Sequence, residues 1–174
     1  INLIAGVDEV GRGPLYGPVV CAAVILPKNY MLEGLTDSKK LSEKKRDMFY
    51  DIIMNDALSV SVAMRSPERI DEINIYAATK EAMIDAINGL DVKCEHVLVD
   101  AMPLDLDIPT TSIIKGDAKS LSIAAASVIA KVTRDRMMYE VDIIHPEYNF
   151  KGHKGYPTKE HLEAIKKYGI FDGY

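Results

Sequence analysis

The sequence predicts one α/β domain built on a mixed sheet. Three observations predict it. Apolar runs of strand length alternate with amphipathic runs of helix length. The first three strand-like runs are spaced as an antiparallel set. The later ones alternate with helices, as parallel strands do. A chain of 174 residues fits one domain and buries roughly two-thirds of the surface that its unfolded form exposes.

Each element has its own signal. INLIAGVD (1–8) is a first strand, rich in branched apolar residues and closed by glycine and proline. PVVCAAVILP (18–27) is a second, bracketed by prolines, and its unbroken apolarity predicts burial on both faces. Ser42 caps a helix in which Met48, Phe49, Ile52 and Ile53 recur at helical spacing. ALSVSVAM (57–64) alternates as a half-exposed strand. Residues 66–87 are helical, with Pro67 near the start and a break around Ile73. EHVLVDAMP (95–103) is a fourth strand ending at Asp100, and residues 110–117 are a short fifth strand or extended approach. Residues 120–144 form a long helix whose alanines predict close packing on the sheet. Residues 158–168 form a last helix between Thr158 and Gly169.

Composition excludes several classes. Hydrophobic residues make up 48% and charged residues 27%, the balance of a globular domain rather than a disordered tail. Cys21 and Cys94 stand far apart without CxxC spacing, which argues against a disulfide scaffold or a thiolate zinc site. The apolar runs fall short of the roughly 20 residues that span a bilayer, so no membrane is expected. No basic segment with a small-residue cleavage site follows Ile1, and a cytoplasmic location is the expectation. The net charge of −5 does not advertise nucleic-acid binding, but basic residues gather at 39–46, 131–136 and 151–159.

Two strands run straight into an acid, LIAGVD at Asp8 and HVLVD at Asp100, and Asp117 precedes the long helix. Such acids are turn or cap residues, or they face the cleft where α/β sheets bind ligands. Carboxylates that converge repel one another unless a cation joins them, and hard oxygen ligands select Mg²⁺, Mn²⁺ or Ca²⁺. Glu9 adjoins Asp8, and neighbours on a regular strand point to opposite faces. Both serve one centre only if the strand ends or twists there, or if Glu9 offers its backbone carbonyl. Gly11, Arg12 and Gly13 are not a dinucleotide fingerprint, because Tyr16 stands where a third glycine belongs and a strand follows. They offer either a tight turn or bare backbone open to a close ligand. His145, His153 and His161 lack metal-pair spacing, and His96 is a polar residue at a strand start.

Five segments carry a resemblance: AGVDEVGRGPLYGPVVCAAVIL, TDSKKLSEKKR, HVLVDA, KGDAKSLSIAAASVIAKVTRDR and HKGYPTKEHLEAI. Together, in this order and over nearly the whole chain, they resemble type 2 ribonuclease H, the bacterial ribonuclease HII family. The resemblance implies a ribonuclease H-like fold, a mixed five-stranded sheet flanked by helices, over residues 1–174, with a C-terminal helical extension over about 145–174. It implies an acidic quartet at Asp8, Glu9, Asp100 and Asp117 that binds Mg²⁺ or Mn²⁺. It implies that Gly11, Arg12 and Gly13 read a ribose 2′-hydroxyl through their backbone. Tyr156 would pack against the neighbouring sugar, and Lys39 would contact phosphate. The implied activity is two-metal hydrolysis of the RNA strand of RNA/DNA hybrids, with incision of duplex DNA at single embedded ribonucleotides to leave 5′-phosphate and 3′-hydroxyl ends. The Lys/Arg clusters would then be phosphate contacts. A monomer is expected, with a replication clamp as partner. Bacterial members continue past the last helix with a segment containing His-Arg and Ser-Phe, where this sequence reads KYGIFDGY. Other ribonuclease H-like nucleases share the metal logic but lack the Gly-Arg-Gly loop. A catalytically silent nucleic-acid binder would gain by losing the four acids.

Overall fold

The computed structural model describes residues 3–35, 40–100, 104, 108–113 and 120–174, with the backbone alone at Asp100, Ser112 and Ile113. Strands β1 (Ile4–Val10), β2 (Val19–Ile25), β3 (Ser59–Arg65), β4 (His96–Asp100) and β5 (Thr110–Ile113) form one sheet in the order β3-β2-β1-β4-β5. β1, β2 and β3 pair antiparallel, whereas β1, β4 and β5 pair parallel. The mixed sheet follows the sequence expectation, and β1 is the strand where the two halves meet.

Helices cover both faces. α1 (Glu43–Asp56) starts where Ser42 Oγ accepts a hydrogen bond from the Lys45 N–H, at 3.2 Å. α2 (Pro67–Ile73) and α3 (Ile75–Asn88) are separated at Asn74, whose φ of +86° breaks the helix and whose Oδ1 caps the next one. The break expected near Ile73 is therefore one residue away. α4 (Leu121–Ile144) is the longest helix. A 3₁₀ turn (Pro146–Tyr148), α5 (Phe150–His153) and α6 (Lys159–Tyr168) complete the chain; the turn and α5 are too short to leave a periodic signal.

Alternation along the strands builds two core layers. Ala5, Val7, Cys21, Ala23, Val97 and Val99 pack with Ala82, Met83 and Ala86 of α3. On the opposite face Val20, Ala22 and Val24 pack with Phe49 and Ile53 of α1 and with Ala124–Ala126 and Ile129 of α4. Met48, which the helical spacing groups with Phe49, instead lies 44% exposed. The small residues have a steric function. A Cβ at Gly6 would stand 2.1 Å from the Ser122 carbonyl carbon, so only glycine lets α4 begin directly on β1.

A third layer joins the C-terminal residues to the rest. Met138, Tyr148, Phe150 and Ala164 are buried together, with Tyr16, Phe171 and Tyr174 packed against them. The Tyr16 ring lies 4.7, 5.1 and 4.9 Å from the rings of Phe150, Phe171 and Tyr174. Residues 146–174 are thereby fixed onto α4 and onto the loop that follows β1. Among the described residues no helix is long and apolar enough to cross a membrane.

Candidate active site

The site begins at the carboxyl ends of β1 and β4. Their parallel register pairs Val7 with Val99, and one residue further along each strand stand Asp8 and Asp100. Paired strands lie about 4.8 Å apart, so the two residues occupy neighbouring positions at a switch point of the sheet. Asp8 is only 6% exposed, and its Oδ1 accepts a hydrogen bond from the Glu9 N–H at 2.9 Å. The Asp100 backbone pairs in turn with Ile113 of β5. Asp117 and Lys39 lie outside the described residues.

Glu9 behaves as strand alternation requires. β1 does not end at Asp8, because its pairing with β2 continues through Glu9–Cys21 and Val10–Val20. Glu9 therefore takes the face opposite to Asp8, with Cys21 as its cross-strand neighbour. Burial raises the Cys21 thiol pKa, and the Glu9 charge raises it further. Glu9 Oε1 stands 3.7 Å from Arg12 Nη1, whereas Oε2 is buried without a hydrogen-bond partner among the described residues. A buried carboxylate oxygen without a donor is costly unless a cation meets it. The buried Asp8 and the adjacent position of Asp100 fit a hard divalent cation, whereas the orphaned Glu9 oxygen lies on the other face of the strand. Among the described residues no three His, Cys, Asp or Glu side chains converge on one ion position, and only Asp8 and Glu9 of the acidic quartet have described side chains.

Beyond β1 the Gly-Arg-Gly loop turns under strict steric control. Gly11 has φ +94°, and a Cβ there would come within 2.7 Å of both Arg134 Nε and the Pro18 carbonyl oxygen. Arg12 is exposed. Gly13 faces the Tyr156 ring, and a Cβ added to it would sit 3.7 Å from Tyr156 Cε1. The structure thus brings together two substrate-binding candidates from opposite ends of the chain. Lys131 Nζ and Arg134 Cζ stand 5.9 and 5.6 Å from the centre of the Tyr156 ring.

Several bonds hold Tyr156 there. The Leu15 N–H donates to the Gly155 carbonyl at 2.7 Å, and the Tyr156 N–H donates to the His153 carbonyl at 3.0 Å. His153 and His161 stack with ring centres 3.9 Å apart. His153 accepts from the Gly155 N–H at Nδ1 (3.0 Å) and donates from Nε2 to the Tyr148 carbonyl (2.6 Å). His161 donates from Nδ1 to the Tyr156 carbonyl (2.9 Å), while its Nε2 accepts from Tyr174 Oη (2.6 Å). Burial lowers the pKa of both rings, so each is neutral and structural. His96 has the polar partner expected of it, Thr111 Oγ1 at 2.8 Å.

The basic cluster at 131–136 is not the uniform phosphate surface that its charge suggests. Lys131 pairs with the buried Asp135 at 2.9 Å, and Arg136 lies over the Tyr50 ring at 4.2 Å. Arg134 is 1% exposed and gives its donors to backbone carbonyls instead. The sequence held a signal for this. Ala130, Arg134 and Met138 recur four residues apart on one face of α4, and all three are buried.

A family model described as Ribonuclease HII matches residues 5–173. The chain belongs to the ribonuclease HII family. The family model and the curated relatives alike carry the name of a ribonuclease H enzyme. Ribonuclease HII of Bacillus cytotoxicus is 61% identical over 172 residues, which cover 99% of this chain and 66% of that protein. The chain therefore spans about two thirds of that relative's length. Among solved structures, ribonuclease H2 of Pyrococcus horikoshii OT3 superposes with a TM-score of 0.82 at 29% identity, covering 97% of this chain and 89% of that one. Ribonuclease HII of Archaeoglobus fulgidus, solved in complex with PCNA, gives 0.83 at 28% identity, covering 97% and 91%. The observed α/β fold is thus that of its ribonuclease H relatives.

Proposed function

We propose that this ribonuclease HII chain is an endoribonuclease that hydrolyses the RNA strand of RNA/DNA hybrids and incises duplex DNA at single embedded ribonucleotides. One observation carries the reading: the Gly11–Gly13 loop leaves the strand of Asp8 and Glu9, and its Gly13 faces the Tyr156 ring, where an added Cβ would stand 3.7 Å from Cε1. The 2′-hydroxyl distinguishes RNA from DNA, and it is both donor and acceptor. A loop without side chains at Gly11 and Gly13 presents N–H and C=O groups close enough to meet it. Tyr156 offers an apolar ring to the next sugar, where a deoxyribose fits better than a ribose. Arg12 and Lys131 flank this corner with positive charge and orient the phosphates without reading sequence.

The residues that would hold the divalent ions are Asp8, Glu9, Asp100 and Asp117, with Mg²⁺ or Mn²⁺ as the ions. When bound, such ions supply Lewis acidity for the attacking water and the leaving oxygen. The protein's own part is to hold the carboxylates at the carboxyl ends of β1 and β4 on a sheet buried on both sides. Glu9 reaches the shared centre through its backbone carbonyl or after a local twist, because its side chain takes the other face. The products carry 5′-phosphate and 3′-hydroxyl ends. Lys39 contributes a phosphate contact, and residues 145–174 act as an extension of the one domain by fixing Tyr156. The chain works as a monomer in the cytoplasm, with a replication clamp as partner.

The test is incision of duplex DNA carrying one ribonucleotide, assayed with Mg²⁺, with Mn²⁺ and with chelator. Metal-dependent cutting at the ribonucleotide is expected. Binding of unchanged affinity with no cutting in either metal would make the protein a silent binder.

A further inference from the structure

Arg134 is a cation with almost no solvent exposure, and among the described residues no carboxylate oxygen lies within 4.0 Å of it. Its fork is spent on three backbone carbonyls: Nε to Pro18 at 3.1 Å, Nη2 to Tyr16 at 2.5 Å and Nη1 to Lys154 at 2.6 Å. Two of these belong to the loop that follows Gly11–Gly13, and the third precedes Gly155 and Tyr156. The two segments also touch directly. A Cβ at Gly155 would meet the Tyr16 carbonyl oxygen at 2.7 Å, and a Cβ at Gly11 would meet Arg134 itself. Burying a guanidinium is costly, and an apolar side chain beside Met138 would fill the space more cheaply. What an apolar side chain lacks is a planar set of donors that grips two loops at once.

We propose that Arg134 is a positioning residue that sets the spacing between the ribose-reading loop and Tyr156, and through it the preference for a ribonucleotide followed by a deoxynucleotide. The proposal rests on the functional reading above and deepens it. Among the described residues Arg134 meets no carboxylate oxygen within 4.0 Å, and its three donors go to backbone carbonyls. It acts by holding the element meant for the 2′-hydroxyl at a fixed distance from the element meant for the next sugar. Were that spacing loose, each element would still bind, but the junction would no longer be measured. A continuous hybrid places less demand on the spacing, because a ribose lies on both sides of the cut.

The experiment compares kcat/KM on duplex DNA with one ribonucleotide against kcat/KM on a continuous RNA/DNA hybrid, for the wild type, Arg134→Met and Arg134→Lys. Melting curves are recorded alongside. The ratio of the two values is expected to fall roughly ten- to a hundredfold in Arg134→Met, the cost of a misplacement of about 1 Å. It should fall less in Arg134→Lys, which keeps the charge but cannot span all three carbonyls. The dependence of binding on salt should match wild type, because no phosphate contact is lost. If Arg134→Met does not fold, the same ratio is read on Arg134→Lys. A ratio within twofold of wild type in a folded variant, with activity lost equally on both substrates, overturns the proposal. So does a salt slope shallower by about 0.9, the mark of a lost phosphate contact. Failure of the wild type to cut at the ribonucleotide would instead refute the functional reading.

Discussion

Gly13 and Tyr156 lie face to face, close enough that a methyl group on Gly13 would rest in van der Waals contact with the tyrosine ring. The contact closes one corner of the site between the strand that bears Asp8 and the turn that follows α5. It also makes the two glycines of the loop experimentally separable.

Gly13→Ala should fold normally, since its new methyl meets the ring at 3.7 Å without a clash. It should nonetheless slow incision roughly tenfold or more, because the methyl takes the space a sugar needs. Gly11→Ala should act on stability instead. Its φ of +94° and the 2.7 Å approach to Arg134 and Pro18 should cost about 1–3 kcal/mol. Melting temperature and incision rate, measured on both variants, check the contrast. Equal effects of the two substitutions on both quantities would contradict it.

Asp8→Asn should leave the fold intact and reduce cleavage on the order of 10³-fold or more, since it removes a buried anion that a cation would join. Mn²⁺ should raise the melting temperature of the wild type, and the same variant should lose that rise. Retention of that rise together with full cleavage would show that Asp8 has no part in holding metal.

Tyr156→Ala should lower incision at a single ribonucleotide roughly tenfold while shifting the melting point little, because the ring is only half buried and its backbone makes the bonds. Tyr156→Phe should retain most activity if the ring face is what matters. Circular dichroism and a rate comparison settle the point, and a purely thermal defect in the alanine variant would count against the reading.

The stacked His153 and His161 give a pH dependence whose sign follows from linkage. Burial lowers both pKa values below the ordinary 6.5, so the unfolded chain binds more protons in acid. Their contribution is fully present above pH 6.5 and is lost as pH falls from there toward the depressed folded values. Chemical denaturation at pH 8, 7, 6 and 5 should show stability declining across the lower half, with a shallower decline in the double variant His153→Gln, His161→Gln. A flat profile in the wild type would contradict the assignment of two buried neutral rings.

The acids at strand ends were legible because an apolar run that stops at a carboxylate departs from the pattern of a buried strand, and Asp8 and Asp100 both do so. Their adjacency was not legible, because the β1–β4 register joins segments that nothing local aligns. The alternation that sends Glu9 away from Asp8 follows from strand geometry alone, and the structure keeps it through Val10. Within the 131–136 cluster Arg134 reads as a phosphate contact because charge suggests solvent, and only its period with Ala130 and Met138 betrays its burial. Tyr156 beside Gly13 is a tertiary fact. It depends on the Leu15–Gly155 bond and the aromatic cluster around Tyr16, where a short 3₁₀ turn and a single-turn helix leave no repeating pattern to read.

The most direct measurement is cleavage of two duplexes of identical sequence, one all DNA and one with a single ribose, with end chemistry read on the products. The account predicts metal-dependent cutting of the second duplex alone, at the ribonucleotide, leaving 5′-phosphate and 3′-hydroxyl ends. Cutting of both duplexes at equal rate, or of neither in Mg²⁺ or Mn²⁺, would contradict it.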